Sequence, residues 1–273
     1  MKRYLKMTCY IVLYLILLFA VLKGVQWFVF NICSKNQSLN DFLWSNKTLF
    51  SFSISIITIT LYSIILKLRN KNLFKVCSFT KISPQNVLGI SLMGISMCLF
   101  TTCFTSINVI IKAFPQFGEY LDSSFQTKGS FLIFIIMLMV LPMFEEIIFR
   151  GVIFNELRSN IPLVAAVVIQ ALIYGLLQLN PVLGTYAAIG SVIYVLPYIW
   201  TKSLWGSILV QDSCILGLFI FRKTGIKDLL AGTGNVGLII LTLVGIAGIF
   251  AAGYFVRKNS VKGKLKGGSY VGF

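Results

Sequence analysis

Leu141-Pro142-Met143-Phe144-Glu145-Glu146-Ile147-Ile148-Phe149-Arg150 closes an apolar run that starts at Phe131. Two neighbouring carboxylates and a guanidinium stand where the pattern otherwise reads as lipid-embedded helix. On insertion scales each such charge costs about 2.5–3.5 kcal/mol at the centre of a membrane helix. It persists only if it is paired or lines a wet cavity. Glu146 and Arg150 are four apart, share a helical face, and run in the order that suits an ion pair. Glu145 is turned about 100° from Glu146, because a helical turn takes about 3.6 residues. One carboxylate is therefore expected to meet Arg150 while the other points elsewhere. The plain reading of the trio is an ion-pair clamp between helices. A functional site is the default reading for ionisable groups inside a membrane.

The whole composition agrees with a membrane setting. Of 273 residues, 57% are hydrophobic and 12% charged, about half the charged share of an ordinary soluble domain. The net charge is +16. In a soluble chain that would suggest a nucleic-acid partner. Here the cations sit in loops and tails between apolar runs, so the membrane accounts for them and no nucleic acid is expected. Six cysteines include no CxxC pair, so no disulfide framework is indicated and buried thiols acting as small hydrophobes are expected. Histidine is absent. Strong metal ligands are then limited to Glu145, Glu146, Asp212 and Cys214, so neither a metal nor another cofactor is expected.

Apolar runs at roughly 9–32, 48–66, 87–111, 131–149, 161–179, 182–200, 203–221 and 236–256 predict an all-α polytopic membrane protein with about eight transmembrane helices. The fourth run can continue helically to about Leu157. The first begins after a basic start and extends to about Cys33 without a small-residue cleavage site, so it reads as a retained span. The chain divides into 1–125 with three spans, 126–230 with the polar motifs, and 231–273 with the last span and a basic tail. The Gly/Lys-rich tail from Lys262 is expected to be disordered. The segment Lys112–Ser130 is expected to hold a short interfacial helix.

Loop charge predicts orientation. Lys2, Arg3, Lys6, Lys67, Arg69, Lys71, Lys75, Lys81, Arg158, Lys202, Arg257, Lys258, Lys262, Lys264 and Lys266 fall on one side, fifteen cations in all. Lys35, Lys47, Lys112, Lys128, Arg222, Lys223 and Lys227 fall on the other, seven in all. Both termini are therefore expected in the cytoplasm, in a multi-pass protein of the cell membrane. The tail cations are expected to touch anionic lipid.

Polar groups interrupt four of the apolar runs; Lys23 in the first can snorkel along its stem, and the other three carry polar sets. Glu145, Glu146 and Arg150 form the first set. Tyr174-Gly175-Leu176-Leu177-Gln178 is the second, with Tyr174 and Gln178 four apart and expected on one helical face. Gln211-Asp212-Ser213 is the third, mid-way along a short span. A lone membrane glutamine usually serves helix packing. Together the three sets suggest one shared cavity.

Here the chain resembles a known family. Glu145-Glu146-Ile147-Ile148-Phe149-Arg150 is similar to the EExxxR motif of the CPBP family, the CAAX-prenyl-endopeptidase and bacteriocin-processing membrane proteins, also called Abi. Ala171 to Gln178 resembles its second motif, FxxxH. Ser203 to Gln211 resembles the approach to its third, HxxxN. The resemblance covers about residues 130–222. It implies an intramembrane endopeptidase in which Glu145 acts as base on a water and Glu146–Arg150 is a structural pair. It also implies that position 178 helps hold that water and that positions 211 and 215 hold the oxyanion. Tyr174 stands for the motif phenylalanine, Gln178 and Gln211 for the two histidines, and Ile215 for the asparagine. With imidazole chemistry gone, the expected member is a catalytically impaired one that acts by binding, as scaffold, regulator or bacteriocin-immunity protein. Its expected partner is a membrane or secreted peptide or protein. The alternatives are a weak glutamate-dependent endopeptidase and, ranked lowest, a transporter with a carboxylate ion site.

Overall fold

The computed structural model describes residues 2–31, 35–38, 47–124 and 136–266. Among these residues every long element is helical and no strand is present. Among the described residues six helices are long and apolar enough to cross a membrane: Lys2–Asn31, Leu49–Leu68, Pro84–Ser106, Pro181–Thr201, Leu204–Lys223 and Gly234–Val261. The chain is an all-α polytopic membrane protein. The expected span at 161–179 is the 14-residue apolar helix Leu163–Leu176. At about 1.5 Å per residue its reach is roughly 21 Å, short of a hydrocarbon core of about 30 Å. The expected span at 131–149 begins outside the described residues. From Ile136 it is helical throughout and does run on past Arg150, to Arg158.

By packing, the described residues fall into two compact units. The first comprises 1–79 with 126–174, the second 80–125 with 175–273. These units run across the three segments expected from the sequence.

In the first unit, α1 (Lys2–Asn31) packs on α2 (Lys47–Leu68). Their faces meet through Tyr14 and Tyr62, both fully buried, with ring centroids 4.7 Å apart. The Tyr62 hydroxyl donates to the Tyr14 carbonyl at 2.6 Å, which satisfies a buried polar group between apolar helices. A short helix α3 (Leu73–Cys77) follows, capped by the Asn72 side chain, which accepts from the Lys75 N–H. The motif segment then runs as α7 (Leu141–Glu146), a π-helical stretch Ile147–Ile153, and α8 (Phe154–Arg158). It packs against α2 and α3. Residues 146–157 are all buried, so this segment is the heart of the unit. Most of α9 (Leu163–Leu176) completes it.

In the second unit, α4 (Pro84–Ser106) is the central post, in contact with α11 (Leu204–Lys223) and α12 (Gly234–Lys266). Missing side chains permit the close approach. A Cβ on Gly94 would lie 2.5 Å from the Val210 carbonyl, and one on Gly245 would lie 2.8 Å from the Phe100 nitrogen. Small residues at crossings are the usual means by which membrane helices pack, since lipid removes the hydrophobic drive between them. α4 is followed by α5 (Asn108–Ala113) and α6 (Pro115–Ser124), and α6 falls in the segment Lys112–Ser130 where a short helix is expected; α10 (Pro181–Thr201) also belongs to this unit. The expectation of a disordered tail from Lys262 is corrected in part. The last helix continues to Lys266, because lysines and leucine are good helix formers and the membrane span has already nucleated the turns.

Candidate functional site

Pro142 stands where the π-helical turn Ile136–Val140 gives way to α7, and Glu145 and Glu146 close α7. The chain then widens into the π-helical stretch that carries Arg150. Such stretches inside α-helices frequently mark functional sites. The Arg150 Nη1 still reaches Glu146 Oε1 at 2.7 Å, and both side chains are fully buried. This is the pairing expected from their spacing. Asn155 holds the next turn: its Nδ2 donates to the Gly151 and Val76 carbonyls, each at 2.7 Å. The motif helix is thereby tied to the end of α3.

Glu145 points elsewhere, as expected, and is half-buried. Its Oε2 accepts a 3.0 Å hydrogen bond from the hydroxyl of Tyr174 on α9. The same tyrosine ring lies 4.7 Å from the Arg150 guanidinium carbon and meets Phe149 edge-on at 4.8 Å. Tyr174 therefore touches both halves of the charged motif, with its rim on Glu145 and its face on Arg150. A cation over an aromatic face is attracted by the ring quadrupole, more so when desolvated.

The two glutamines belong to the second unit. Gln211 is buried in the middle of α11, and Ile215 follows one turn later, half-buried. Gln178 is half-buried in the turn after α9. The expectation that Tyr174 and Gln178 share one helical face is corrected, because α9 ends at Leu176. The Gln178 N–H bonds the Gly175 carbonyl, and Leu179 adopts the left-handed φ of 53°. Within the second unit the backbones of Gly175 and Gly184 pack closely. A Cβ on Gly175 would lie 2.6 Å from the Gly184 carbonyl, so the backbone at the end of α9 presses on the start of α10. Asn180, extended before Pro181, then caps α10 by accepting from the Val182 and Leu183 N–H groups at 3.0 Å.

Sequence reasoning missed a second charged centre in the first unit. Glu156, 8% exposed, receives both forks of Arg69, at 2.9 and 3.0 Å. Arg69 also donates to the Tyr14 hydroxyl at 3.0 Å and stacks on the Tyr10 ring at 3.4 Å. Burial alone would lower the Arg69 pKa, but the hydrogen bond and charge of Glu156 outweigh it and raise it. A signal was present: the chain has only eight acidic residues, and three of them lie between 145 and 156.

The fold and these groups define a multi-pass helical membrane protein with two charged centres packed around one motif helix. Residues 127–211 match the family model described as type II CAAX prenyl endopeptidase Rce1-like. Over that stretch, which holds the Glu145–Glu146–Arg150 motif, the chain is similar to the CAAX-protease family of membrane proteins. No curated protein and no solved structure matches the chain.

Proposed function

We propose that this chain is a catalytically impaired member of the CAAX-protease family that acts by binding. Its partner is a membrane or secreted peptide or protein, and its role is that of a scaffold, a regulator or a bacteriocin-immunity protein. The observation that carries the reading is the Tyr174–Glu145 hydrogen bond. A phenylalanine at the motif position has no hydroxyl to give. Here the tyrosine occupies an acceptor site on the carboxylate that, in the family's chemistry, activates water. The chain also contains no histidine, and a glutamine amide neither takes nor gives a proton at neutral pH. Losing one oxyanion donor commonly costs on the order of 10²–10³ in rate, and Ile215 offers none.

A second reading is a weak glutamate-dependent endopeptidase. It is favoured by the partial exposure of Glu145, which contrasts with the complete burial of Glu146. An amide at 178 or 211 can also donate to an oxyanion. One substitution separates the two readings. Glu145→Gln keeps size and hydrogen bonding but removes the general base. For a binding protein the cellular phenotype survives at normal protein level. Loss of phenotype at normal abundance establishes the peptidase instead.

The excess of cations on one set of loops supports a cell-membrane location with both termini in the cytoplasm.

A further inference from the structure

The first unit contains a cleft of about 490 Å³ lined by Arg3, Lys6, Arg69, Lys71, Glu156 and Asn160, among others. Four cations face one carboxylate. Glu156 is engaged by both forks of Arg69, and the Lys71 ammonium stands 3.9 Å from it. Arg3 is held by neutral partners, the Asn160 side chain at 3.0 Å and the Ser159 carbonyl, so its charge is not compensated there. Lys6 and Lys71 are exposed at the rim. The walls are therefore fixed by hydrogen bonds while the field inside stays positive.

The position of the cleft adds a second constraint. Arg69 follows directly on Leu68, the last residue of a candidate membrane span. Arg3 and Lys6 lie in the first turns of another. The cleft thus sits where apolar helix gives way to charge. Leu68 lines it and is 80% exposed, with Met7 beside it. Apolar carbon at one side and ammonium groups at the other match the boundary between an acyl chain and a headgroup. Basic pockets between membrane helices take phosphate headgroups by this chemistry.

We propose that this cleft binds a phosphate group, with Lys6, Lys71 and Arg3 as its cationic ligands and Arg69 held in place by Glu156. The site is separate from Glu145 and does not depend on the proposed function above.

The test uses the full-length protein in neutral-detergent micelles, with binding followed by the rise in melting temperature. The probes are phosphatidic acid, phosphatidylcholine and inorganic phosphate. Stabilisation by phosphatidic acid but not by inorganic phosphate supports a lipid source. Stabilisation by both supports a phosphate site open to soluble ligands. The Lys6→Ala/Lys71→Ala variant keeps the Arg69–Glu156 wall and removes two exposed side chains, so folding is retained. A surface lysine contributes about a five-fold gain in affinity for anionic lipid. The double variant should therefore bind phosphatidic acid on the order of 25-fold more weakly. Arg257→Ala/Lys258→Ala serves as the control for diffuse charge. No stabilisation by either phosphate probe would overturn the proposal. An equal loss in the control variant would also overturn it.

Discussion

The hydroxyl of Tyr174 donates to Oε2 of Glu145 at 3.0 Å, while its ring lies over the Arg150 guanidinium. One side chain thus links the two carboxylate environments of the motif. Glu146 is sealed with Arg150, and Glu145 is held by a neutral donor and remains partly exposed. The division of labour between adjacent glutamates is set by which face of the helix meets α9.

That link can be weighed by Tyr174→Phe, which deletes the hydroxyl and keeps the ring over Arg150. Hydrogen bonds between membrane helices are worth about 0.6 kcal/mol on average and at most about 1.7. A fall of about 1 kcal/mol in unfolding free energy is expected in detergent titrations. An unchanged midpoint means that the hydrogen bond adds nothing to the fold.

Arg150→Ala should damage the fold more than Glu145→Ala. It strands the Glu146 carboxylate at a fully buried position, and breaking a buried pair costs about 3–5 kcal/mol. Glu145→Ala removes a half-buried carboxylate and leaves the Tyr174 hydroxyl to be resolvated. Melting curves that rank the two variants the other way reverse the assigned roles.

Arg69→Lys tests the second charged centre. A lysine cannot reproduce the two-fork contact with Glu156 or the flat stack on Tyr10. A cost of about 1–3 kcal/mol is expected, the range for hydrogen bonds to charged groups. If Arg69→Lys melts like the parent, the fork geometry is dispensable.

Cys77, at the end of α3, gives a pH test. Burial pushes its thiol up to about 12 from an ordinary value near 9. The folded state therefore holds the proton more tightly than the unfolded chain. Its stabilising contribution is complete below about pH 9 and is lost as pH rises toward 12. Parent protein should lose stability across that window, and Cys77→Val should lose less. At about pH 8 the native thiol should resist maleimide, since the thiolate is the reactive form. Rapid labelling of Cys77 in folded protein contradicts the burial.

Orientation is tested by single cysteines in a Cys-free background. Lys75→Cys and Lys258→Cys are both exposed positions. Both are expected to react with an impermeant thiol reagent only after the cytoplasmic face is opened. Labelling of either from outside intact cells overturns the loop-charge reading.

Much of this architecture is legible in the chain itself. Apolar runs of about 20 residues specify membrane helices, because hydrocarbon offers no partner for unpaired backbone groups. The Glu146–Arg150 pair follows from spacing alone, since i and i+4 are neighbours on any helix. The opposite aim of Glu145 follows from the same geometry. Arrangements that depend on two elements far apart in sequence are not local. The Arg69–Glu156 fork joins positions 87 apart, and its supports come from α1. The Tyr174 hydroxyl reaches Glu145 only because α9 crosses the motif helix at that depth. The early end of α9 takes Gln178 off its face, where Leu179 turns left-handed ahead of the Asn180 cap and Pro181. Periodicity and charge by themselves determined a helical membrane protein with a paired motif. Tertiary packing decided which tyrosine holds the second glutamate and which cations line one cleft, because helix crossings are set by side-chain volumes on facing surfaces rather than by any single segment.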